Sequence, residues 1–355
     1  MIKSKACRAK IHITKEDEEL VEKIKKKTEE LNLNNVTRTK AYFDFYRLYP
    51  EIHWTFLGHM VSRNGGWNMT DLKGEPISGL MNKNAKQAFF SFLERGNWLI
   101  FQDAYPQFLL YEESLKRKKN LFYLLPLFNV SIFMETIWND FWRNGNRYIL
   151  TIALVINEQS YLENRVIQNP IFKKTVFDTI EFKLQDLLAF THIIFPYEQH
   201  NETKLVGQTL QQFGSLHERI LLGKRLYSLL FSREHVLKNV VNWAKTHPHT
   251  GSRKDYWPHL FNSVKEELPT VFYKRRLRGC QLRQGAGRLY SPKLEFAWKS
   301  VDHLPAETGD WFKDWRMIHY FFKNEENVDG EIRHEYCETL EKIELAAIAK
   351  KAIFH

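Results

Sequence analysis

The chain has 355 residues, of which 43% are hydrophobic, 26% charged and 14% aromatic. That composition excludes a disordered polymer, a collagen, a coiled rod and a disulfide-stapled mini-protein, and leaves a globular chain with a large core. The net charge of +10, from 52 basic and 42 acidic residues, is modest for this length and does not by itself point to nucleic acid.

Apolar periodicity places helices along most of the chain. Thr14 is a candidate N-cap for a helix over 15–31, with Leu20, Val21, Ile24 and Leu31 on one face. A second helix is expected over 38–49, carrying Tyr42, Phe45, Tyr46 and Tyr49 and stopped by Pro50. A third, over 51–63, carries Trp54, Leu57 and Val61 and ends at Gly65-Gly66. Residues 84–104, weakened by Gly96, and the shorter 106–115 follow. The segments 130–142 and 146–166 are more apolar and read as core helices. Residues 170–195 hold one or two more, ended by Pro196, and 215–231 and 233–245 complete the series.

After Pro248, Pro, Gly, Trp and basic residues become frequent, and helical periodicity returns only over 331–353. The expected fold class is therefore all-α: a multi-helix globular body of roughly ten helices with an irregular, basic-then-acidic C-terminal region. The expected division is a charged N-terminal helix over 1–34, a helical body over 35–247, and a C-terminal region over 248–355 that wraps the body. The longest apolar stretch, 149–156, falls far short of the ~20 residues that span a bilayer. Cys7, Cys280 and Cys337 lie far apart, at least one of them is unpaired, and no zinc spacing occurs. A reducing, intracellular compartment fits that usage.

Between 270 and 300 the chain carries eight basic residues against Glu295 alone, and between 306 and 345 eleven acidic against five basic. The two blocks either pair within the fold or leave the first to meet an anionic partner. In the second case Arg275, Arg276, Arg278, Arg283 and Arg288 would track a phosphate backbone. With Lys274 the block has six cations, and all six on phosphates would give log K a salt slope of about −5.

Two loops have the ingredients of an oxyanion site. Ser62, Arg63 and Asn64 close a helix before a glycine pair, and His249, Ser252, Arg253 and Asp255 share a Thr-Gly-Ser-Arg-Lys loop. The plainer account of the first is that Arg63 and Asn64 satisfy helix-end carbonyls. No Walker loop, nucleophile elbow or His-Glu-x-x-His is present. The sole Glu-x-x-His pair, Glu331 and His334, does not make a di-iron bundle, so no metal ligand set is expected. Glu158, after an apolar run, is a candidate acid or base, or else the partner of Arg165 or Arg219.

The strings Arg38-Thr39-x-Ala41-Tyr42, Pro50-Glu51-Ile52-His53-Trp54, Val61-Ser62-Arg63-Asn64-Gly65-Gly66-Trp67 and Pro248-His249-Thr250-Gly251-Ser252-Arg253-x-Asp255-Tyr256-Trp257-Pro258 resemble the YppC-like proteins of Bacillus-type bacteria, a domain of unknown function. The resemblance covers about 35–298. It implies a cytoplasmic bacterial protein and brings no reaction, cofactor or catalytic residue with it.

Three functional readings follow. The first is a binding protein for an anionic partner, nucleic acid or a phosphorylated ligand, through the basic C-terminal segment. The second is an enzyme in which Arg63 and Arg253 hold an oxyanion, His249 acts as base and Asp255 stands beside it. The third is an interaction protein built on the aromatic surplus.

Overall fold

The computed structural model describes residues 13–64, 69–75, 77–187, 191–200, 202–266, 275–322 and 330–354. Helix α1 (Lys15–Leu31) opens with a capping box in which Thr14 and Asp17 satisfy each other's end groups. Helices α2 (Asn35–Leu48) and α3 (His53–Asn64) pack face to face, with Tyr46 stacked on Phe56 and Tyr42 edge-on to Trp54. The turn α4 (Ile77–Leu80) leads to the longest element, α5 (Lys83–Arg117).

Helix α5 runs straight through Pro106, where the sequence suggested two helices. An interior proline costs about 3 kcal/mol. Burial of Phe101, Tyr105, Phe108, Leu109 and Leu110 on both sides of it outweighs that cost. Helices α6 (Ile132–Asn144) and α7 (Arg147–Leu162) are the expected core pair, and α7 continues into a π-helical turn at Glu163–Ile167. The short helices α8 (Pro170–Phe172) and α9 (Ile180–Leu187) follow.

A β-hairpin then stands where a helix to residue 195 was expected. β1 (His192–Gln199) pairs antiparallel with β2 (Glu202–Thr209), Phe195 opposite Val206. Residues 192–197 are all buried, so both faces of β1 are covered and no polar-apolar alternation appears. A short apolar run of this kind cannot be told from a buried helix by period alone. Gly207 is required at its place, because a Cβ there would meet the Ile193 carbonyl. Its N–H turns outward to the Gly330 carbonyl, 2.8 Å away, and so ties the hairpin to the C-terminal segment.

Helices α10 (Leu216–Phe231) and α11 (Glu234–Thr246) close the body, and the Ser215 side chain caps α10. Beyond them lie two-residue ladders, the turns α12 (Leu294–Ala297) and α13 (His319–Phe322), and α14 (Arg333–Phe354). The fold is mostly helical with a few short strands. Trp298 stacks on Phe90, and the Trp311 indole donates to Asn157, so C-terminal aromatics insert into the body. No helix among the described residues is long and apolar enough to cross a membrane.

With three cysteines at least one is unpaired, and the structure pairs the other two although they lie far apart in sequence. Cys280 and Cys337, 57 positions apart in sequence, form a disulfide with Cα atoms 5.3 Å apart; Cys7 lies outside the described residues. Closing a loop of that length removes entropy from the unfolded chain, so reduction is expected to lower stability by about 2–4 kcal/mol. Urea unfolding with and without dithiothreitol measures it, and coincident curves would refute it.

Candidate functional site

Helix α3 builds the site. On one of its faces His59 and Arg63 stand one turn apart, and both are buried, 2% and 3% exposed. The 247–255 loop comes over this face, so the two segments singled out in the sequence do meet. The Arg63 guanidinium reaches the carbonyls of His247 (3.2 Å) and Pro248 (2.5 Å) just past α11, and lies 4.4 Å above the Trp243 ring. It therefore holds helix-end carbonyls, those of α11 rather than of its own helix. Burial lowers its pKa to about 10, against the pull of Asp255.

Thr39, on α2, fixes both histidines. Its backbone carbonyl takes a hydrogen bond from His59 Nδ1 at 2.7 Å, so that nitrogen carries the proton and Nε2 keeps a lone pair. The Thr39 hydroxyl bonds both the Asn35 carbonyl (2.7 Å) and His249 Nε2; with its hydrogen on the carbonyl, it accepts from Nε2. That leaves His249 Nδ1 as a lone pair too. Neither lone pair has a partner, and nor does Arg63 Nε. Burial first, and then the Arg63 charge, lower His59 to about 3 and His249 well below its ordinary value, so both rings are neutral. His249 is half-buried and lines a cavity.

That cavity holds about 430 Å³ and opens between α2 and the end of α11. Lys40, Arg47 and Lys245 stand at its exposed rim, and the single carboxylate, Asp44, is paired with Lys40 at 3.3 Å. Among the described residues no group of three or more His, Cys, Asp or Glu is placed to hold a metal ion.

The other residues expected at the site do not line this cavity. Arg253 clamps Asp71 through two parallel bonds (2.7 and 2.5 Å) and also donates to Tyr336 (2.6 Å). Asp255 accepts from the Thr250 backbone and hydroxyl at 2.6 and 2.9 Å, which holds the loop shut; burial raises its pKa. Ser252 donates to the Ser291 carbonyl at 2.5 Å. The Ser62 carbonyl accepts from Asn35 (2.8 Å), and its residue faces a different cavity. Asn64 is buried with an unpartnered amide nitrogen. Gly65-Gly66 and Trp67 lie outside the described residues.

In the basic block the structure pairs cations internally. Arg275 meets Glu341, Arg276 meets Glu75 (3.1 Å) and Glu344 (3.6 Å), and Arg288 meets Glu266 (3.0 Å). Arg283 bonds the Leu277 carbonyl at 3.4 Å and, like Arg278, is exposed. Glu341 and Glu344 belong to the acidic block, so the two charge runs neutralise each other in part.

Glu158 has neither expected arginine. Arg165 bonds the carbonyls of Tyr161, Glu307 and Gly309, and Arg219 pairs with Glu163 at 2.5 Å. Glu158 instead accepts from Gln159 (2.8 Å) and the Trp54 indole. Burial raises its pKa from 4.5 to about 7, with a smaller push from Asp103. A carboxyl raised on folding holds its proton more tightly in the native state, so its contribution is complete below pH ~4.5 and is lost as pH rises through ~7. Glu158→Gln removes that loss. The variant should gain on the parent by about 1–3 kcal/mol between pH 5 and 8, the lower end applying where the adjoining cavity admits water. Urea unfolding across that range tests the sign, and a pH-independent difference would refute it.

Residues 30–337 match the family model described as a protein of unknown function, DUF2515. An uncharacterized protein of Bacillus subtilis, YppC, is 45% identical over 236 residues, which is 66% of this chain and 72% of that protein. No solved structure matches. The match over most of the chain, with the 38–67 and 248–258 strings inside it, places this protein in the DUF2515 family.

Proposed function

We propose that the protein binds a small ligand carrying an anionic group and hydroxyl donors, such as a phosphorylated polyol, in the cavity of His59, Arg63 and His249. The observation that carries this reading is the placement of three unpartnered nitrogens on the buried wall of a cavity whose rim is cationic. The two neutral imidazoles can only accept, which suits ligand hydroxyls. Arg63 Nε and the rim of Lys40, Arg47 and Lys245 suit the anion. Arg253 and Asp255 then act only by holding the loop.

A polyanion along the basic segment has less support, since three of its five arginines already face carboxylates. Titration calorimetry of the full chain with ribose 5-phosphate, inorganic phosphate and ribose tests the proposal. The sugar phosphate should bind tightest, and Lys245→Glu, at the exposed rim, should weaken it about tenfold. Equal binding of free ribose, or no binding of the sugar phosphate, would overturn it.

A further inference from the structure

The opposite face of α3 borders a second cavity, and nothing in the anion-site reading uses it. Trp54, Leu57, Gly58, Val61 and Ser62 turn toward it, while His59 and Arg63 turn away. Its volume is about 240 Å³, and its wall is mostly apolar, with Phe89, Phe92, Val155, Ile193 and Leu222 among the groups that line it. An apolar cavity of about 150 Å³ holds benzene, so this one has room for a chain of about eight carbons.

Several of the polar groups in that wall are already paired with one another. Arg219 spends its guanidinium on Gln159 (2.9 Å), the Phe213 carbonyl (2.7 Å) and Glu163. The Gln159 amide is fixed between Arg219 and Glu158, accepting from the first and donating to the second. Among the residues that line the cavity, the Glu158 carboxyl and Asn35 Oδ1, unpartnered on a buried residue, offer acceptors, and the Ser62 hydroxyl can take either role. Asn35 Nδ2 is already given to the Ser62 carbonyl, which fixes Oδ1 as the free end. A wall of apolar surface with unspent acceptors selects a ligand that brings donors.

Two further features keep the space open. Gly96 lines it from within α5, and a Cβ there would meet nothing within 4 Å. The π-helical turn after α7 places Val166 and Ile167 on its wall, where a regular helix would present other residues.

We infer that this cavity is a binding site for an apolar molecule with a cationic, hydrogen-bond-donating head, a lipophilic amine, its head on Glu158 and Asn35 and its tail against the aromatic wall. Calorimetry of the full chain with octylamine, octanol and octanoate tests it. Octylamine should bind at least about tenfold more tightly than octanol, as one hydrogen bond to a charged group implies, and octanoate should not enter. The chain's own positive charge makes non-specific uptake of an amine unfavourable, so binding of octylamine reports a built site.

Two variants separate the parts of the proposal. Gly96→Leu fills the space and should abolish octylamine binding, while Gly96→Ala, which only improves the helix, should keep it. Glu158→Gln, nearly isosteric, should bring octylamine to within about twofold of octanol, and this arm stands even where Gly96→Leu does not fold. Octylamine binding unchanged in both Gly96→Leu and Glu158→Gln overturns the site. Absence of octylamine binding, or octanoate binding that Gly96→Leu abolishes, overturns the ligand class. Loss of sugar-phosphate binding in Lys245→Glu bears on the other cavity alone.

Discussion

Arg253→Ala should lower stability by about 3–5 kcal/mol, the range found when one partner of a buried ion pair is removed. The Arg253 and Asp71 side chains are 11% and 7% exposed, and the guanidinium also binds the Tyr336 hydroxyl. Without it, Asp71 is left charged in an interior that repels charge. The Thr70 hydroxyl, bonded to the Gly251 carbonyl at 2.7 Å, cannot replace it. Urea unfolding followed by tryptophan fluorescence measures the change. The second variant, Arg253→Ala with Asp71→Ala, should recover part of the loss, because no unpaired carboxylate remains. A loss below about 1 kcal/mol for Arg253→Ala would refute the structural role and return Arg253 to the ligand site.

Arg38→Met should cost about as much, ~3–5 kcal/mol, at the other end of the body. Arg38 is 1% exposed, lies 2.6 Å from Glu94, and also donates to Asn32 at 3.1 Å. These bonds join α2, α5 and the α1–α2 link in one buried network, and His303 meets the same Glu94 at 3.4 Å. Methionine fills the arginine's volume but leaves Glu94 with His303 as its remaining partner, without the permanent cation. Replacing both, Arg38→Met with Glu94→Leu, exchanges the pair for apolar packing and should return most of the stability, since a buried ion pair seldom gains on a well-packed hydrophobic replacement. Additive losses in the double variant, with no recovery, would refute the pairing account.

These pairs show where sequence reading stops. Helix positions were legible because their signals are local: Thr14 and Ser215 cap the helices they precede, and the aromatic spacing of 42–49 marks one face of α2. The hairpin was not legible, because a strand buried on both faces has no alternation to detect. Pro106 also misled, since the packing that overrides it comes from other elements.

At the site, Arg63 and His249 stood out by composition. His59 could have been added from its one-turn spacing to Arg63, and Lys40 and Lys245 could not, because nothing local says that α2 and α11 share a rim. Glu158 was visible as a carboxyl after an apolar run, but its lack of an arginine was not.

The mostly helical class, most helix positions, the family and two of the three residues with unpartnered nitrogens beside the α2–α11 cavity were legible in the sequence. Only the tertiary structure decided which cations are spent. Arg253 meets a carboxylate 182 residues away and Arg38 one 56 away, and the histidine tautomers depend on Thr39, 210 residues from His249. A charge's partner, a proton's position and a cavity's wall are set by groups brought together through packing, and packing joins residues that no local pattern connects.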